Sequence, residues 1–125
     1  MKKKLLLMLT LIGSVFLVGC GSGSSGGVSF YQKGLAVTYS LEENGKFTTN
    51  DSVYDRNKFT AAHKELPYGT KVVVTNLNNG RNTKVTINDH RMPEKKCIIK
   101  LSEKAAKELA LFEEDEVSID IISWG

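Results

Sequence analysis

Residues 71–88 read KVVVTNLNNGRNTKVTIN, and this stretch decides the fold class. Two runs rich in β-branched residues, Lys71–Leu77 and Arg81–Asn88, flank the triplet Asn78-Asn79-Gly80. β-Branched side chains favour extended strands, and asparagine followed by glycine is typical of a tight hairpin turn. The stretch therefore predicts two antiparallel strands joined by a short turn.

Three more short runs have the same character, and the sequence predicts strands over Leu35–Tyr39, Cys97–Leu101 and Val117–Ile122. The segment Asp55–His63 is predicted to be a loop with a helical turn. About six short strands in a small mainly β domain favour a closed barrel or a sandwich, and the pattern alone leaves both topologies open.

One helix is predicted in the second half of the chain. Ser102 is a suitable N-cap, and the helix is expected over Glu103–Leu111. Helical periodicity brings four apolar residues near one face, namely Leu101, Ala105, Leu109 and Phe112.

The N-terminus has the features of a secretion signal. Lys2–Lys4 is basic and Leu5–Val18 is apolar, but this run is too short to span a hydrocarbon core of roughly 30 Å comfortably. The following Leu17–Cys20 resembles the lipobox of bacterial lipoproteins, in which the cysteine thiol is lipidated before cleavage. We therefore predict a signal peptide over residues 1–19 and a lipid anchor on Cys20.

The segment after Cys20 is rich in glycine and serine, which is typical of a flexible tether. The predicted organisation is a tether over residues 20–32 and one folded domain over residues 33–123. The protein is expected to be exported, held at a membrane by its lipid and turned towards the cell wall. Gly21 is not the aspartate that commonly retains lipoproteins at an inner membrane, which favours the outer membrane where a cell has two.

Charge and cysteine usage exclude several classes of partner. Without the three lysines of the leader, 14 basic and 14 acidic residues remain, so the mature chain has no overall charge that favours nucleic acid. Cys97 lies in an apolar run and is predicted to be a buried small hydrophobe. His63 and His90 are far apart and no CxxC or HExxH motif occurs, so no metal or other cofactor is predicted.

Several motifs in order resemble one known family. They are Thr60–Thr70 (TAAHKELPYGT), Val72–Leu77, Asn79–Arg81 and Val85–Asp89. Together, behind a lipobox, they are similar to the rare lipoprotein A family, and the likeness covers roughly Gly34–Ile122. The resemblance implies a six-stranded double-psi β-barrel with one short helix. It also implies a lytic transglycosylase that acts on the glycan strands of peptidoglycan.

Asp89 is the candidate catalytic acid and base. On the predicted strand a period of two places Val85, Ile87 and Asp89 on one face, so the carboxyl would end an apolar row. Partial desolvation there would favour the protonated form that a general acid needs. The alternative is that Asn88-Asp89 only forms a turn that closes the strand.

His63 matches the position of the family's functional histidine. The resemblance implies that it holds Asp89 or a sugar hydroxyl by a hydrogen bond; it could equally cap the loop after Ala61-Ala62. His90 has no counterpart in the family and is predicted to be an exposed loop residue.

Two single residues and one loop depart from the family pattern around the expected cleft. Ser52 stands where the family has a glutamate, Lys100 stands where it usually has an aspartate, and residues 90–93 replace an Arg-Gly-Pro loop. Asp51 is adjacent to Ser52, but in an extended segment its side chain would point the other way. The residues expected to contact the substrate are Ser52, Tyr54 and Asn88.

The leading function is therefore cleavage of glycan strands to 1,6-anhydromuramyl ends, with Asp89 as acid and base and His63 in support. The second hypothesis is a non-catalytic glycan-binding module that loosens or senses the wall, which the serine at position 52 and the lysine at position 100 favour. A third is a protein-interaction lipoprotein of the envelope.

Overall fold

A computed structural model describes residues 28–112 and 115–125 of the chain. The predicted signal peptide, the lipidation site Cys20 and the first part of the tether lie outside the described residues.

Within these described residues, six strands form a closed barrel, which confirms the predicted fold class. Around the barrel the strands follow the order β1-β5-β2-β4-β3-β6, and β6 pairs with β1 to complete the ring. One short helix, α1, covers Glu103–Glu108, and a 3-10 turn covers Leu41–Glu43. The strands are β1 (Ser29–Thr38), β2 (Thr60–Ala62), β3 (Lys71–Asn76), β4 (Asn82–Asp89), β5 (Ile99–Leu101) and β6 (Glu116–Ser123).

Two strand pairs are parallel, β1 with β5 and β2 with β4, while the remaining pairs are antiparallel. Parallel neighbours cannot be joined by a tight hairpin, so the chain has to cross the barrel between them. At the candidate site, Thr49 in the long segment between β1 and β2 contacts Asp89 at the end of β4.

The predicted hairpin is present as β3 and β4. Val72 lies opposite Val85 and Val74 opposite Thr83 in the antiparallel register. Gly80 has a φ of 80°, a left-handed conformation that glycine adopts without steric cost, and this explains why the turn needs it.

The barrel interior is filled by alternate residues of the strands. In β4 the buried positions are Val85, Ile87 and Asp89, which confirms the predicted inward-facing row. The helix adds Ala105 and Leu109, both with no exposed surface, and its N-cap Ser102 accepts a hydrogen bond from the Ala105 backbone as expected. Branched apolar side chains from all sides therefore form one core.

Several sequence-based boundaries differ from the structure. β1 begins at Ser29, so the last four residues of the predicted tether belong to the barrel, where they pair with β6 around a bulge between Phe30 and Gln32. β2 lies in the segment that was predicted to be a loop. The sequence did not reveal this strand, because three residues are too few to show a periodic pattern. β5 has only three residues and begins after Cys97 and Ile98.

The helix is shorter than predicted. Ala110 has a φ of 50°, which ends the helix, and the Leu111 backbone N–H then bonds back to Ala106 O. Phe112, predicted on the buried face, is 78% exposed as a result. Cys97 is only half-buried rather than buried, because it precedes β5 instead of lying within it. Among residues 28–112 and 115–125 no helix is both long and apolar enough to span a membrane.

Candidate active site

Asp89 ends β4 and lines a narrow cavity at one end of the barrel. The inward face of β4 carries it there, and a shift of register between Ala61 and Ala62 of β2 pairs Ala62 with Asp89. The carboxyl is buried but lines the cavity together with Tyr39, Glu43, Lys46, Phe47, Thr48, Tyr54 and Arg91. Asp89 is therefore not an exposed turn residue.

Four hydrogen bonds hold the Asp89 carboxylate. Oδ1 accepts three of them, from Thr49 N at 3.0 Å, Thr49 Oγ1 at 2.9 Å and Arg91 N at 3.2 Å. Oδ2 accepts one, from Tyr39 Oη at 2.6 Å. Because a carboxylate oxygen has two lone pairs, Oδ2 keeps one for a proton or a substrate hydroxyl.

The charge state of Asp89 differs from the one predicted. Burial by itself raises the pKa of Asp89, but the hydrogen bonds from Tyr39, Thr49 and Arg91 outweigh it and leave the pKa below its ordinary value. The expected desolvation is present, but it does not leave the carboxyl protonated, since the row ends among hydrogen-bond donors. Asp89 is an anion in the unliganded protein.

Tyr39 is fixed by an aromatic neighbour. Its ring stacks on Tyr54 with the centroids 4.0 Å apart and the planes 9° from parallel. Tyr54 is 3% exposed, and its hydroxyl accepts a hydrogen bond from Glu103 N. Burial and the hydrogen bond to Asp89 raise the pKa of Tyr39, so it remains a proton donor to that carboxylate. Tyr54 therefore forms part of the cavity wall that positions Tyr39.

Ser52 lies in a compact loop rather than an extended segment. Thr48 N donates to Ser52 O at 2.7 Å, and Asp51 adopts a left-handed conformation with a φ of 61°. The Ser52 hydroxyl shares a hydrogen bond with Thr48 Oγ1 at 2.9 Å. It thus lies behind Thr48, a residue that lines the cavity. The sequence argument that placed Asp51 in an extended segment is wrong because this loop turns sharply.

Asn88 lies next to Asp89 in sequence but on the other face of β4. Alternation makes Asn88 half-buried on the outside, whereas Asp89 faces inward. Within the part of the chain that the structure describes, Asn88 Oδ1 is a buried acceptor without a donor. The structure therefore does not bring Asn88 to the cavity of Asp89.

The imidazole of His63 caps the loop that follows it through hydrogen bonds to backbone N–H groups. Its Nδ1 accepts hydrogen bonds from Glu65 N at 3.0 Å and Leu66 N at 3.1 Å. The proton is therefore on Nε2, which donates to Gln32 Oε1 at 2.8 Å. Burial lowers the pKa of His63 and favours this neutral form. Of the two predicted roles for His63, the geometry matches the cap of a loop and not a hydrogen bond to the Asp89 carboxyl. His63 contacts Asp89 through its backbone N–H, which donates to the Asp89 carbonyl oxygen.

His90 is part of the structure around Asp89 and is not the exposed loop residue that was predicted. Its ring stacks on Tyr68 with the centroids 4.1 Å apart, and its Nε2 donates to Leu66 O at 2.8 Å. Tyr68 Oη and His90 N both donate to Thr49 Oγ1, which in turn donates to Asp89. Sequence reasoning missed Thr49 and Tyr68, because these contacts join positions 19 to 41 residues apart.

An ion pair between a buried lysine and a half-buried glutamate, also missed from sequence, lies beside this network. Lys100 Nζ is 3.0 Å from Glu43 Oε1 and 4.3 Å from the centroid of the Tyr39 ring. Lys100 was identified only as a departure from the family pattern, and Glu43 gave no signal at all. The two residues are 57 positions apart, so no local motif connects them.

Tyr39→Phe tests the origin of the Asp89 charge. The variant removes the donor at 2.6 Å but keeps the stacked ring, so the pKa of Asp89 should rise from its lowered value. The Asp89 carboxyl carbon, followed by NMR through a pH titration, should show a midpoint at higher pH than in the wild-type protein. Tyr68→Phe is the control. It removes a hydrogen bond to Thr49 Oγ1 and not one to Asp89 itself, so it should move the midpoint less. An unchanged midpoint in Tyr39→Phe would contradict the assignment.

The chain is similar in sequence to a known family and to several known proteins. A family model described as lytic transglycolase matches residues 24–121. The chain is 45% identical over 83 residues to a protein of Haemophilus influenzae named endolytic peptidoglycan transglycosylase RlpA, covering 66% of this chain and 29% of the relative. A protein of Campylobacter jejuni with the same name is 38% identical over 94 residues, covering 74% of this chain and 34% of the relative.

These relatives are longer proteins. The chain spans about a third or less of the length of each one, so the likeness concerns the barrel. The family match, in contrast, covers most of this chain and includes all six strands except the end of β6. On this ground the chain belongs to the lytic transglycolase family.

Proposed function

We propose that this protein cleaves the glycan strands of peptidoglycan by lytic transglycosylation, with Asp89 as acid and base. The observation that carries the proposal is the state of Asp89: a buried carboxylate that lines a cavity and keeps one lone pair on Oδ2. The family match and the names of the relatives support the same reaction class.

The proposed reaction needs one proton carrier because the substrate supplies its own nucleophile. Asp89 donates a proton to the glycosidic oxygen, and the bond from that oxygen to C1 of the muramic acid breaks. The C6 hydroxyl of the same sugar then bonds to C1, and its proton returns to Asp89. Ordinary glycosidases usually need a second carboxyl to activate water or to form a covalent intermediate.

Asp89 has to gain a proton before this step, since it is an anion in the unliganded protein. A glycan bound over the mouth of this cavity, whose volume of about 30 Å³ is too small for a sugar ring, would displace water from the open side of Oδ2, and desolvation favours the neutral carboxyl. Three donors would still hold Oδ1 in place, so the proton would be taken up on Oδ2. Protonation is thus coupled to binding of the glycan in this proposal.

The other predicted site residues take supporting roles in the proposal. His63 positions the loop that carries Leu66, to which His90 is bonded. Tyr54 positions Tyr39 through their stacked rings. Ser52 steadies Thr48 at the cavity wall. Asn88 has no role here, because it lies on the outer face.

The proposed location is the cell envelope, with the barrel exported and tied to a membrane by a lipid on Cys20. The lipobox sequence and the glycine- and serine-rich segment after it support this anchor. Peptidoglycan and the membrane are thus the two proposed partners.

A glycan-binding module without catalytic activity is the second candidate. The observation in its favour is the hydrogen-bonding of Asp89, since four donors stabilise the anion rather than the acid. In that case the surface around the same cavity would bind a glycan without cleaving it.

The deciding experiment uses the full-length chain in detergent with purified sacculi and with stem-free glycan strands. Mass spectrometry of the soluble products should detect 1,6-anhydromuramyl ends, which form only when the C6 hydroxyl attacks. A protein that sediments with sacculi yet gives no anhydro ends would reject the enzyme and favour the binding module. If the protein neither sediments with sacculi nor gives anhydro ends, both candidate functions are rejected.

A further inference from the structure

Glu43 is a second carboxylate at the candidate site. It ends the 3-10 turn Leu41–Glu43, and its Oε2 accepts hydrogen bonds from Ser40 N at 2.8 Å and Ser40 Oγ at 3.1 Å. Its Oε1 accepts from Lys100 Nζ at 3.0 Å. Both oxygens are therefore held, and the carboxylate has a defined position.

Glu43 lies where two cavities meet. One is the narrow cavity lined by Asp89, and the other is a larger one of about 420 Å³ lined by residues of β1, β5 and the segment after β4. Glu43 and Arg91 line both cavities. A glycan chain that lies along this groove would pass Glu43 on its way from one cavity to the other.

The ion pair is unequal in its exposure. The Lys100 side chain is 8% exposed, whereas that of Glu43 is 30% exposed. Lys100 lies over the Tyr39 ring, and of the two partners Glu43 exposes the larger fraction of its side chain to the groove, which Arg91, Lys95 and Lys100 also line. Burial raises the pKa of Glu43, but the hydrogen bonds from Ser40 and Lys100 outweigh it and hold the pKa below its ordinary value.

We infer that Glu43 is a further catalytic residue, which stays ionised and stabilises the positive charge that develops on the sugar at C1. The inference rests on the proposed function. Glycosidic bond cleavage passes through an oxocarbenium-like state, and enzymes that break such bonds commonly place two carboxyl groups beside it. In this groove the two are Asp89, which carries the proton, and Glu43, which supplies fixed negative charge. Glu43 neither gains nor loses a proton in the step.

Lys100 has a positioning role in this inference. Its ammonium fixes Glu43 Oε1 and holds the carboxylate ionised, but it does not contact the sugar. A plain structural latch between the 3-10 turn and β5 is the alternative, and in a latch the two partners would be equally necessary. This difference provides the test.

The test compares Lys100→Met with the double variant Glu43→Gln/Lys100→Met, using the full-length chain and stem-free glycan. Glu43→Gln alone is unsuitable, because it would leave a buried ammonium unpaired and destabilise the fold. Lys100→Met should retain at least a tenth of the wild-type kcat, because the partly exposed carboxylate is still present. The double variant should lose on the order of 10²-fold in kcat relative to Lys100→Met, with a similar KM and a similar melting temperature. Glu42→Gln, a change in the neighbouring exposed acid, is the matched control and should keep the wild-type rate.

A second measurement is chemical rescue. In Glu43→Ala/Lys100→Met the shortened side chain leaves room for a small anion, so sodium formate should restore part of the lost rate while sodium chloride does not. Equal rates in Lys100→Met and the double variant, or an absence of formate rescue, would overturn the inference and leave the proposed function intact. A wild-type protein that gives no anhydro ends would overturn the proposed function itself, and this inference with it.

Discussion

Asp89→Asn should abolish the 1,6-anhydromuramyl product while the barrel remains folded. The amide cannot give a proton to the glycosidic oxygen or take one from the C6 hydroxyl. General acid–base catalysis contributes about 10²–10⁴-fold, and one group serves both halves of this reaction. We therefore expect the yield of anhydro ends to fall by at least about 10²-fold, measured by mass spectrometry after digestion of sacculi.

The hydrogen bonds around Asp89 explain why the fold should survive the change. The asparagine carbonyl can replace Oδ1 and accept from the two Thr49 donors and Arg91 N. The amide nitrogen would then replace Oδ2 and donate to Tyr39 Oη, since a tyrosine hydroxyl also accepts. A neutral amide bonds more weakly than a carboxylate, so a loss of about 1 kcal/mol, or roughly 4–8 °C in Tm, is expected.

The control for this substitution is Asp120→Asn in β6. Asp120 is a half-buried strand residue away from the cavity, so its variant should keep the wild-type yield. If Asp89→Asn unfolds the barrel at the assay temperature, Asp89 is a structural residue, and a folded variant with normal product would exclude it as the acid and base.

Cys20→Ala should release the protein from membranes almost completely. The thiol is the proposed attachment point of the lipid, and no other residue of Leu17–Cys20 can form the thioether. Fractionation of cells should move the protein from the membrane pellet to the soluble fraction, and labelling with a palmitate analogue should disappear.

Cys97→Ala is the matched control for the anchor. Cys97 lies half-buried in the barrel before β5, so this variant should remain in the membrane fraction and keep the lipid label. A Cys20→Ala protein that still pellets with membranes and still carries label would show that the anchor is elsewhere.

Local sequence determined the longer strands and the inward direction of Asp89. The hairpin of β3 and β4 follows from β-branched runs around an Asn-Gly turn, and strand alternation places Asp89 on the same face as Val85 and Ile87. Both signals act between neighbours in the chain. β2 escaped this reasoning, because its three residues are too few to show a period.

Tertiary structure alone decided the charge of Asp89 and the partners of the site. A row of apolar neighbours predicted a protonated carboxyl, but the donors that reverse this come from Tyr39 and Thr49, 50 and 40 residues away in sequence. The pairing of Glu43 with Lys100 and the capping of a loop by His63 likewise depend on which segments the closed barrel brings together. A pKa reflects every dipole and charge within a few ångströms, so it is set by the fold and not by the residues adjacent in sequence.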